Sequence, residues 1–190
     1  MKLKIFKFDK VTSTNDVAID LIKNKKKENG YIYADEQTEG RGTHGKKWIS
    51  IKGNLFCTVF FQLKKKYPPF NEFSFINPLI ISKAIKEFCG KEKISIKWPN
   101  DLLLNKRKFC GILQEIINFN NKEFLVIGMG INLISNPKLL DNYQSTSIFL
   151  ETKKKPKQLE IIHKIIYYYE QFFSNLNFYD FKKIKEELDI

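Results

Sequence analysis

The sequence Glu36-Gln-Thr-Glu-Gly-Arg-Gly-Thr-His-Gly-Lys-Lys-Trp48 decides which α/β folds the chain can adopt. Its glycines fit G-x-G-x-x-G, the dinucleotide-binding fingerprint, and nearly fit the phosphate-binding loop G-x-x-x-x-G-K-[ST]. Both motifs need a helix directly after the loop, because the amides at its N-terminus bind the phosphate. Here Lys47 replaces the hydroxyl residue of the second motif, and a turn signal at Gly53-Asn54 comes too soon for a helix. Both standard interpretations fail, so we predict a basic glycine loop between two strands.

A loop of this kind can cover a bound anion with backbone amides and side-chain cations. The alternative is a mobile surface loop in a lysine-rich protein. Arg41 favours the anion site, because only Arg41 and Arg107 among the 33 basic residues are arginine. Where lysine is the common choice, an arginine indicates a site that needs a planar cation with several donors.

Length, composition and net charge indicate one folded domain and bear on the kind of ligand it binds. The 190 residues suffice for a single domain, predicted to span 1–190, and 43% hydrophobic content with 14% aromatics excludes disorder. A net charge of +12 usually indicates nucleic acid, but the lysines are scattered in short runs. We therefore predict phosphate-bearing small molecules as ligands, and no DNA.

The three cysteines are unclustered and lie in apolar contexts, which predicts buried thiols in a reducing compartment. The N-terminus alternates like a strand and lacks the apolar core of a signal peptide. No apolar run has the length of a membrane span. These features predict a cytoplasmic protein with no membrane partner.

Hydrophobic periodicity and turn signals predict the order of elements. Strands are predicted at 3–8, 31–34, 54–63, 94–97, 101–104, 109–117, 124–133 and 145–150. Helices are predicted to start at Ser13, to span 71–89, to open at Pro156 and to span 179–188. Hairpins, including one at Asn120-Asn121, outnumber βαβ units. The predicted fold class is therefore α/β (α+β), with a central mixed, largely antiparallel sheet flanked by helices.

Three further stretches carry polar groups where a ligand could bind. Ser13-Thr14-Asn15 is either a helix cap alone or a donor and acceptor cluster suited to a small polar ring. Lys97-Trp98-Pro99-Asn100-Asp101 is either a structural turn with a packed tryptophan or a site with a cation, a carboxamide and a carboxylate. A carboxylate beside phosphates usually indicates magnesium. The glycines of Gly128-Met129-Gly130-Ile131-Asn132 would let a ligand approach a strand closely.

Together these stretches resemble the biotin protein ligases. The resemblance is carried, in order, by Ser13-Thr14-Asn15, Gln37, Gly40-Arg41-Gly42, Trp48, Lys97-Trp98-Pro99-Asn100-Asp101, Lys108, Gly111 and Gly128-x-Gly130-Ile131-Asn132. It covers nearly the whole chain as that family's catalytic domain, whose fold is related to that of lipoate ligases. The Lys-Trp-Pro-Asn-Asp string with the downstream Gly-x-Gly-Ile-Asn is its most specific part.

The resemblance implies a two-step reaction. ATP and biotin would give biotinyl-5′-AMP with the help of Mg²⁺, and a lysine of a carboxylase's biotin carboxyl carrier domain would then take the biotin. Arg41 and Lys108 would be catalytic, and Asp101 would hold the metal. Biotin would be bound by Ser13, Thr14, Asn15, Gln37, Gly40, Arg41, Gly42, Thr43, Lys108 and Gly111. ATP or the adenylate would be bound by Lys46, Trp48, Asn100, Asp101, Gly128, Gly130 and Asn132.

The resemblance also sets expectations for the surroundings of this domain. The DNA-binding winged helix of bifunctional relatives and the C-terminal SH3-like domain are expected to be missing, and a homodimer through the sheet stays open. The alternatives are a lipoate or octanoate ligase or transferase of the same fold, a non-catalytic biotin-binding module, and a nucleic-acid binder. The Lys-Trp-Pro-Asn-Asp string and the scattered lysines argue against the first and the last.

Thr43 stands where the family's loop commonly carries another arginine, so a cation near the biotin carboxylate is missing. We predict that this chain retains the adenylate less well than a loop with arginine at that position. The variant Thr43→Arg should release biotinyl-5′-AMP more slowly than the parent, as measured by rapid gel filtration and mass spectrometry. Equal release from the two proteins would contradict the prediction.

Overall fold

The computed structural model describes residues 1–137 and 144–188 of the chain. Within them a seven-stranded sheet has the order β1-β2-β3-β7-β6-β5-β4. The strands are β1 (Ile5–Val11), β2 (Asn29–Gln37), β3 (Leu55–Gln62), β4 (Ile94–Lys97), β5 (Asp101–Leu104), β6 (Arg107–Phe119) and β7 (Lys122–Ile131). The helices are α1 (Thr14–Lys23), α2 (Phe73–Lys86), α3 (Ile148–Thr152), α4 (Gln158–Ser174) and α5 (Phe181–Glu187).

The strand directions confirm a mixed, largely antiparallel sheet. β1 and β2 are parallel, and the other neighbours pair antiparallel. Short turns produce this pattern: Asn105 and Lys106 have φ of 50° and 66°, and Asn120 and Asn121 have φ of 49° and 58°. Positive φ at both central residues is the geometry of a tight hairpin, which asparagine tolerates better than most residues.

The glycine loop connects two antiparallel neighbours, β2 and β3, and no α-helix follows it. This arrangement confirms the exclusion of the dinucleotide-binding and phosphate-loop folds, both of which need a helix at that place. The loop contains a short 3-10 turn at Thr43–Gly45.

Apolar side chains cover both faces of the sheet. Alternate residues of β3 point to opposite faces, so Val59 and Phe61 belong to a core that includes α2 and α4, whereas Phe60 belongs to a smaller one under α1. The smaller core leaves the end of the sheet beside the start of α1 for polar side chains.

Residues 145–150 do not form the predicted strand. Ser145 makes one isolated bridge to Lys108, and the Ser147 hydroxyl accepts a hydrogen bond from Leu150 N (3.2 Å) as the N-cap of α3. The strand prediction was therefore wrong, because a serine that satisfies an amide of the first turn favours a helix start. The other predicted elements are present, with bounds that differ by a few residues.

The cysteines Cys57, Cys89 and Cys110 are buried and free, as predicted. Burial raises the pKa of Cys57 and of Cys89 to about 12, and it also raises that of Cys110. Since the thiolate is the reactive form, we expect negligible labelling by iodoacetamide at pH 8 in the folded protein. All three thiols should react after unfolding in urea, and fast labelling of the folded chain in a mass spectrum would contradict this.

Among the helices in the described part of the chain, none combines the length and apolar composition needed to cross a bilayer.

Candidate functional site

A cleft of about 320 Å³ opens beside the N-terminus of α1. It runs from that helix start, under the glycine loop, to the turn between β4 and β5. The predicted site residues that line it are Ser13, Thr14, Asn15, Gln37, Arg41, Gly42, Thr43, Lys46, Trp48, Asn100, Asp101, Lys108, Gly111, Gly128, Gly130 and Asn132. Gly40 is the one predicted site residue that does not line the cleft. It is buried, and a Cβ at this position would come within 2.7 Å of the Trp48 carbonyl oxygen.

The floor of the cleft is made of strand glycines. Gly111 on β6 is the register partner of Gly130 on β7, and Gly128 faces Thr58 on β3. A Cβ at Gly111 would lie 2.6 Å from the Trp48 indole, one at Gly130 would clash with the same ring, and one at Gly128 would clash with Asn15. The sequence predicted that Gly128 and Gly130 would let a ligand approach the strand closely. In this structure the side chains of Trp48 and Asn15 pack directly on these glycines and line the cleft above them.

Hydroxyl and carboxamide groups line the end of the cleft at α1. Gln37 Oε1 accepts hydrogen bonds from Thr14 N (2.9 Å) and Thr14 Oγ1 (3.1 Å). The Thr58 hydroxyl donates to Asn15 Oδ1 at 2.7 Å and lies 2.8 Å from Thr14 Oγ1. Ser13, the N-cap of α1, accepts from Asn15 N at 3.3 Å. The helix cap and the polar cluster are therefore the same group of residues, and the cluster carries no net charge.

The glycine loop folds back on itself as a small hairpin over the sheet. Gly42 N donates to Lys46 O (2.7 Å), and Trp48 N donates to Gly40 O (2.8 Å). His44, at the tip, has the left-handed φ of 54°. These bonds bring Trp48 back toward the strand glycines, so the hairpin is what positions its indole.

Arg41 points from this hairpin to two carboxylates. Its Nη1 and Nη2 donate to the two oxygens of Glu115 at 2.7 and 2.8 Å, and Nη2 also donates to Asp16 at 2.8 Å. The hydrogen bonds with Glu115, followed by the charges of Glu115 and Asp16, raise the pKa of Arg41. Its guanidinium is thus directed at protein carboxylates in this structure, and a direct catalytic role for Arg41 stays a prediction.

A second ion pair lies at the other end of the cleft. Lys108 Nζ is 2.6 Å from Asp101 Oδ1, and both side chains are largely buried. The same ammonium lies 5.6 Å from the centre of the Trp48 ring, within the range of a cation–π contact. Trp48 therefore has glycines beneath it and a lysine beside it. This end of the cleft combines an aromatic face, a cation and a carboxylate.

The turn at residues 98–100 connects β4 and β5 as a sharp hairpin with a cis Trp98-Pro99 bond. Trp98 is 55% exposed and stacks on Phe75 at 5.8 Å, so it is not packed in the core. Asn100 O accepts from Ile112 N (2.8 Å), and this bond fixes the turn against β6. The turn is both structural and part of the cleft wall.

Asn132 is 2% exposed, and its carboxamide is engaged within the protein. Its Nδ2 donates to Thr146 O at 3.0 Å, and its Oδ1 lies 3.4 Å from Asn54 Nδ2. Its predicted contact with an adenylate stays a prediction, and in this structure it supports the cleft wall.

The sequence reasoning missed the contacts of four side chains that hold the site: Asp16, Thr58, Glu115, and Ser50, whose hydroxyl accepts from Gln37 Nε2 at 3.1 Å. Thr58 could have been found, since a lone hydroxyl inside an apolar strand needs a buried partner. Asp16, three residues after Ser13, fits a capping box by its spacing, and that spacing gave no sign of its contact with Arg41. Nothing in the sequence pairs Glu115 with Arg41, because the two residues are 74 positions apart.

The carboxylates of the cleft fit only one mode of magnesium binding. Within residues 1–137 and 144–188, no cluster of three or more His, Cys, Asp or Glu residues could hold a metal ion. Mg²⁺ usually binds one or two protein carboxylates together with substrate phosphates and water. Asp101 fits that mode of binding, and it does not fit a metal site built from protein ligands alone.

The fold and the cleft define a class: an α/β domain with one cleft that is neutral and polar at one end and holds the Lys108–Asp101 pair at the other. Comparison with known proteins defines the class further. The sequence model described as "Biotin/lipoate A/B protein ligase family" matches residues 5–132. The chain belongs to this family.

Individual relatives agree with this assignment. The chain is 34% identical over 125 residues to the bifunctional ligase/repressor BirA of Escherichia coli, an alignment that covers 65% of this chain and 38% of BirA. It resembles the biotin protein ligase of Leishmania major solved in complex with biotin, with a TM-score of 0.83 and 26% identity over 98% of this chain and 80% of that one. The Aquifex aeolicus enzyme solved with biotin and ATP gives a TM-score of 0.78 and 26% identity, covering 97% of this chain and 76% of that one.

Proposed function

We propose that this chain activates biotin with ATP as biotinyl-5′-AMP and transfers the biotin to a lysine of a biotin carboxyl carrier domain. One observation carries the proposal: a single cleft joins the neutral polar cluster at α1 to the Lys108–Asp101 pair beside Trp48. A ligand with a polar ring, an apolar chain and a carboxylate suits such a cleft. The ligands of the solved relatives support the same choice.

In the first step a carboxylate oxygen of biotin attacks the α-phosphorus of ATP. The bond from that phosphorus to the bridging oxygen breaks, and pyrophosphate leaves with the electron pair. Because two anions must approach each other, positioning and charge neutralisation supply most of the rate. The hydroxyls and carboxamides around Thr14 and Asn15 would hold the ring, and the Lys108 ammonium would face the carboxylate and the phosphoryl oxygens.

In the second step the neutral amine of the acceptor lysine attacks the acyl carbon of the adenylate. The carbon–oxygen bond to the phosphate breaks, AMP leaves, and the amine loses a proton. Lys108 would again stabilise the negative charge on the leaving phosphate. The hairpin of residues 40–48, which covers the cleft, would limit hydrolysis of the mixed anhydride.

Asp101 is the residue that would hold Mg²⁺ in this reaction. When bound there, the ion would neutralise charge on the phosphates. Asp101 now pairs with Lys108, so it would share its carboxylate between the ammonium and the ion.

The test is mass spectrometry of the folded protein after incubation with magnesium-ATP and equal amounts of biotin and lipoate. Biotinyl-AMP alone would support the proposal, and addition of a carrier domain should then give a mass increase on one lysine. Lipoyl-AMP would instead indicate the lipoate branch of the family. No adenylate from folded protein would favour a non-catalytic binding module.

A further inference from the structure

We infer that Glu115 is a positioning residue that joins the polar end of the cleft to the glycine hairpin, an inference that rests on the proposed function. Glu115 lies on β6, in line with Gly111 and Leu113 on the face that forms the floor of the cleft. Its side chain is 24% exposed. A charged residue at that depth in a sheet needs partners, and it has them on two different elements.

Both carboxylate oxygens of Glu115 are in use. Oε2 accepts from Asn15 Nδ2 at 2.7 Å and from Arg41 Nη2 at 2.8 Å, while Oε1 accepts from Arg41 Nη1 at 2.7 Å. One side chain therefore contacts the start of α1 and the hairpin together. These are charge-assisted hydrogen bonds, and the contact with Arg41 is bidentate, the geometry that fixes orientation best.

The contact with Asn15 determines which way its carboxamide faces. A carboxylate can only accept hydrogen bonds, so the NH₂ group of Asn15 must point to Glu115. Asn15 Oδ1 then points to Thr58, whose hydroxyl donates its one proton to it at 2.7 Å. Glu115 thus sets the order of donors and acceptors at the end of the cleft where the biotin ring would bind.

The contact with Arg41 holds the hairpin down on the sheet. Arg41 pairs with Lys47 across the hairpin, and Trp48 N bonds to Gly40 O next to it. Anchoring Arg41 therefore also anchors the strand that carries Trp48. Asp16 supports the same guanidinium from α1 at 2.8 Å, so its contact bears on the hairpin, whereas Glu115 contacts both the hairpin and the Asn15 carboxamide.

The variant Glu115→Gln tests this inference. Glutamine has one oxygen and one NH₂ group, so its NH₂ group must face either Asn15 Nδ2 or the Arg41 guanidinium, both of which are donors. We expect the KM for biotin in adenylate formation to rise about tenfold, with the KM for ATP changing less than threefold. Asp16→Asn should raise the biotin KM less than Glu115→Gln does. Glu123→Gln, an exposed glutamate on β7, is the matched control and should leave both constants unchanged.

An arginine-specific protease gives a second measurement that needs no enzymatic activity. The chain contains only Arg41 and Arg107, so cleavage in the hairpin can be separated from cleavage in β6 by fragment mass. In Glu115→Gln, cleavage after Arg41 should become about tenfold faster while cleavage after Arg107 keeps the parent rate. Equal acceleration at both arginines would indicate general destabilisation and would overturn the inference.

The two measurements also separate this inference from the proposed function. Unchanged cleavage after Arg41, or an unchanged biotin KM in an active variant, overturns the role of Glu115. If the parent makes no biotinyl-AMP, the proposed function fails. The rate of cleavage after Arg41 then decides by itself whether Glu115 anchors the hairpin.

Discussion

Replacing Lys108 with glutamine should reduce the rate of biotinyl-5′-AMP formation by a factor of about 10² to 10³, the usual effect of removing one group that stabilises charge in a transition state. Glutamine keeps a similar length and polarity but carries no charge. The Lys108 side chain is only 22% exposed, so water replaces its charge poorly. The buried Asp101 carboxylate would also lose this cation, which would leave a negative charge facing anionic substrates.

Pyrophosphate release in the presence of saturating biotin and ATP measures the loss in the Lys108→Gln variant. Lys86→Gln, an exposed lysine on α2, is the control for a simple change in net charge and should keep the parent rate. The double variant Lys108→Gln with Asp101→Asn removes the remaining carboxylate charge. It should recover thermal stability without recovering activity, and a single variant within threefold of the parent would contradict the role of Lys108.

Local sequence patterns were enough to predict most of the fold. Asn105-Lys106 and Asn120-Asn121 specify tight turns by themselves, and those turns place β5, β6 and β7 next to one another. The glycine loop was predicted to lie between two strands, and it connects β2 and β3, which pair antiparallel. The strand prediction at 145–150 failed because the apolar run at 148–150 fits either a strand or a helix, and the hydroxyl of Ser147 caps a helix there.

The lining of the cleft was predictable as a set of residues, but the contacts among them were not. Each polar stretch was visible in sequence, because hydroxyls, carboxamides and glycines at element ends indicate ligand contact or close approach. The partners were not visible: Thr58 with Asn15, Glu115 with Arg41, and Trp48 with the strand glycines join segments far apart in the chain. Such pairs depend on which residues of neighbouring strands lie opposite each other. Sequence periodicity predicts the face of the sheet on which a residue lies, but not its partner on the next strand.

The largest effect on stability is expected at Asn54, which does not line the cleft but lies 3.4 Å from Asn132, which does. It is fully buried, and its Oδ1 accepts from three successive amides, Leu133 N (3.0 Å), Ile134 N (3.1 Å) and Ser135 N (3.3 Å). Its Nδ2 donates to Ser135 O at 2.8 Å. One side chain thus satisfies the backbone where β7 ends.

Asn54→Ala should lower the free energy of unfolding by about 2 to 4 kcal/mol, because several buried backbone groups lose their partner and each costs about 1 to 3 kcal/mol before relaxation. Urea denaturation followed by circular dichroism measures this change. Asn118→Ala, an exposed asparagine on β6, is the matched control and should change the free energy of unfolding by less than about 0.5 kcal/mol.

The effect of Asn54→Ala should also reach the cleft. Asn132 follows β7 directly and lies 3.4 Å from the Asn54 amide, and Pro137 and Ser145 beyond it line the cleft. Loosening this segment should therefore raise the KM for ATP at temperatures where the variant is still folded. If Asn54→Ala were as stable as the parent, water would have to replace Asn54 Oδ1 for all three amides, and the segment after β7 would be held by its own packing.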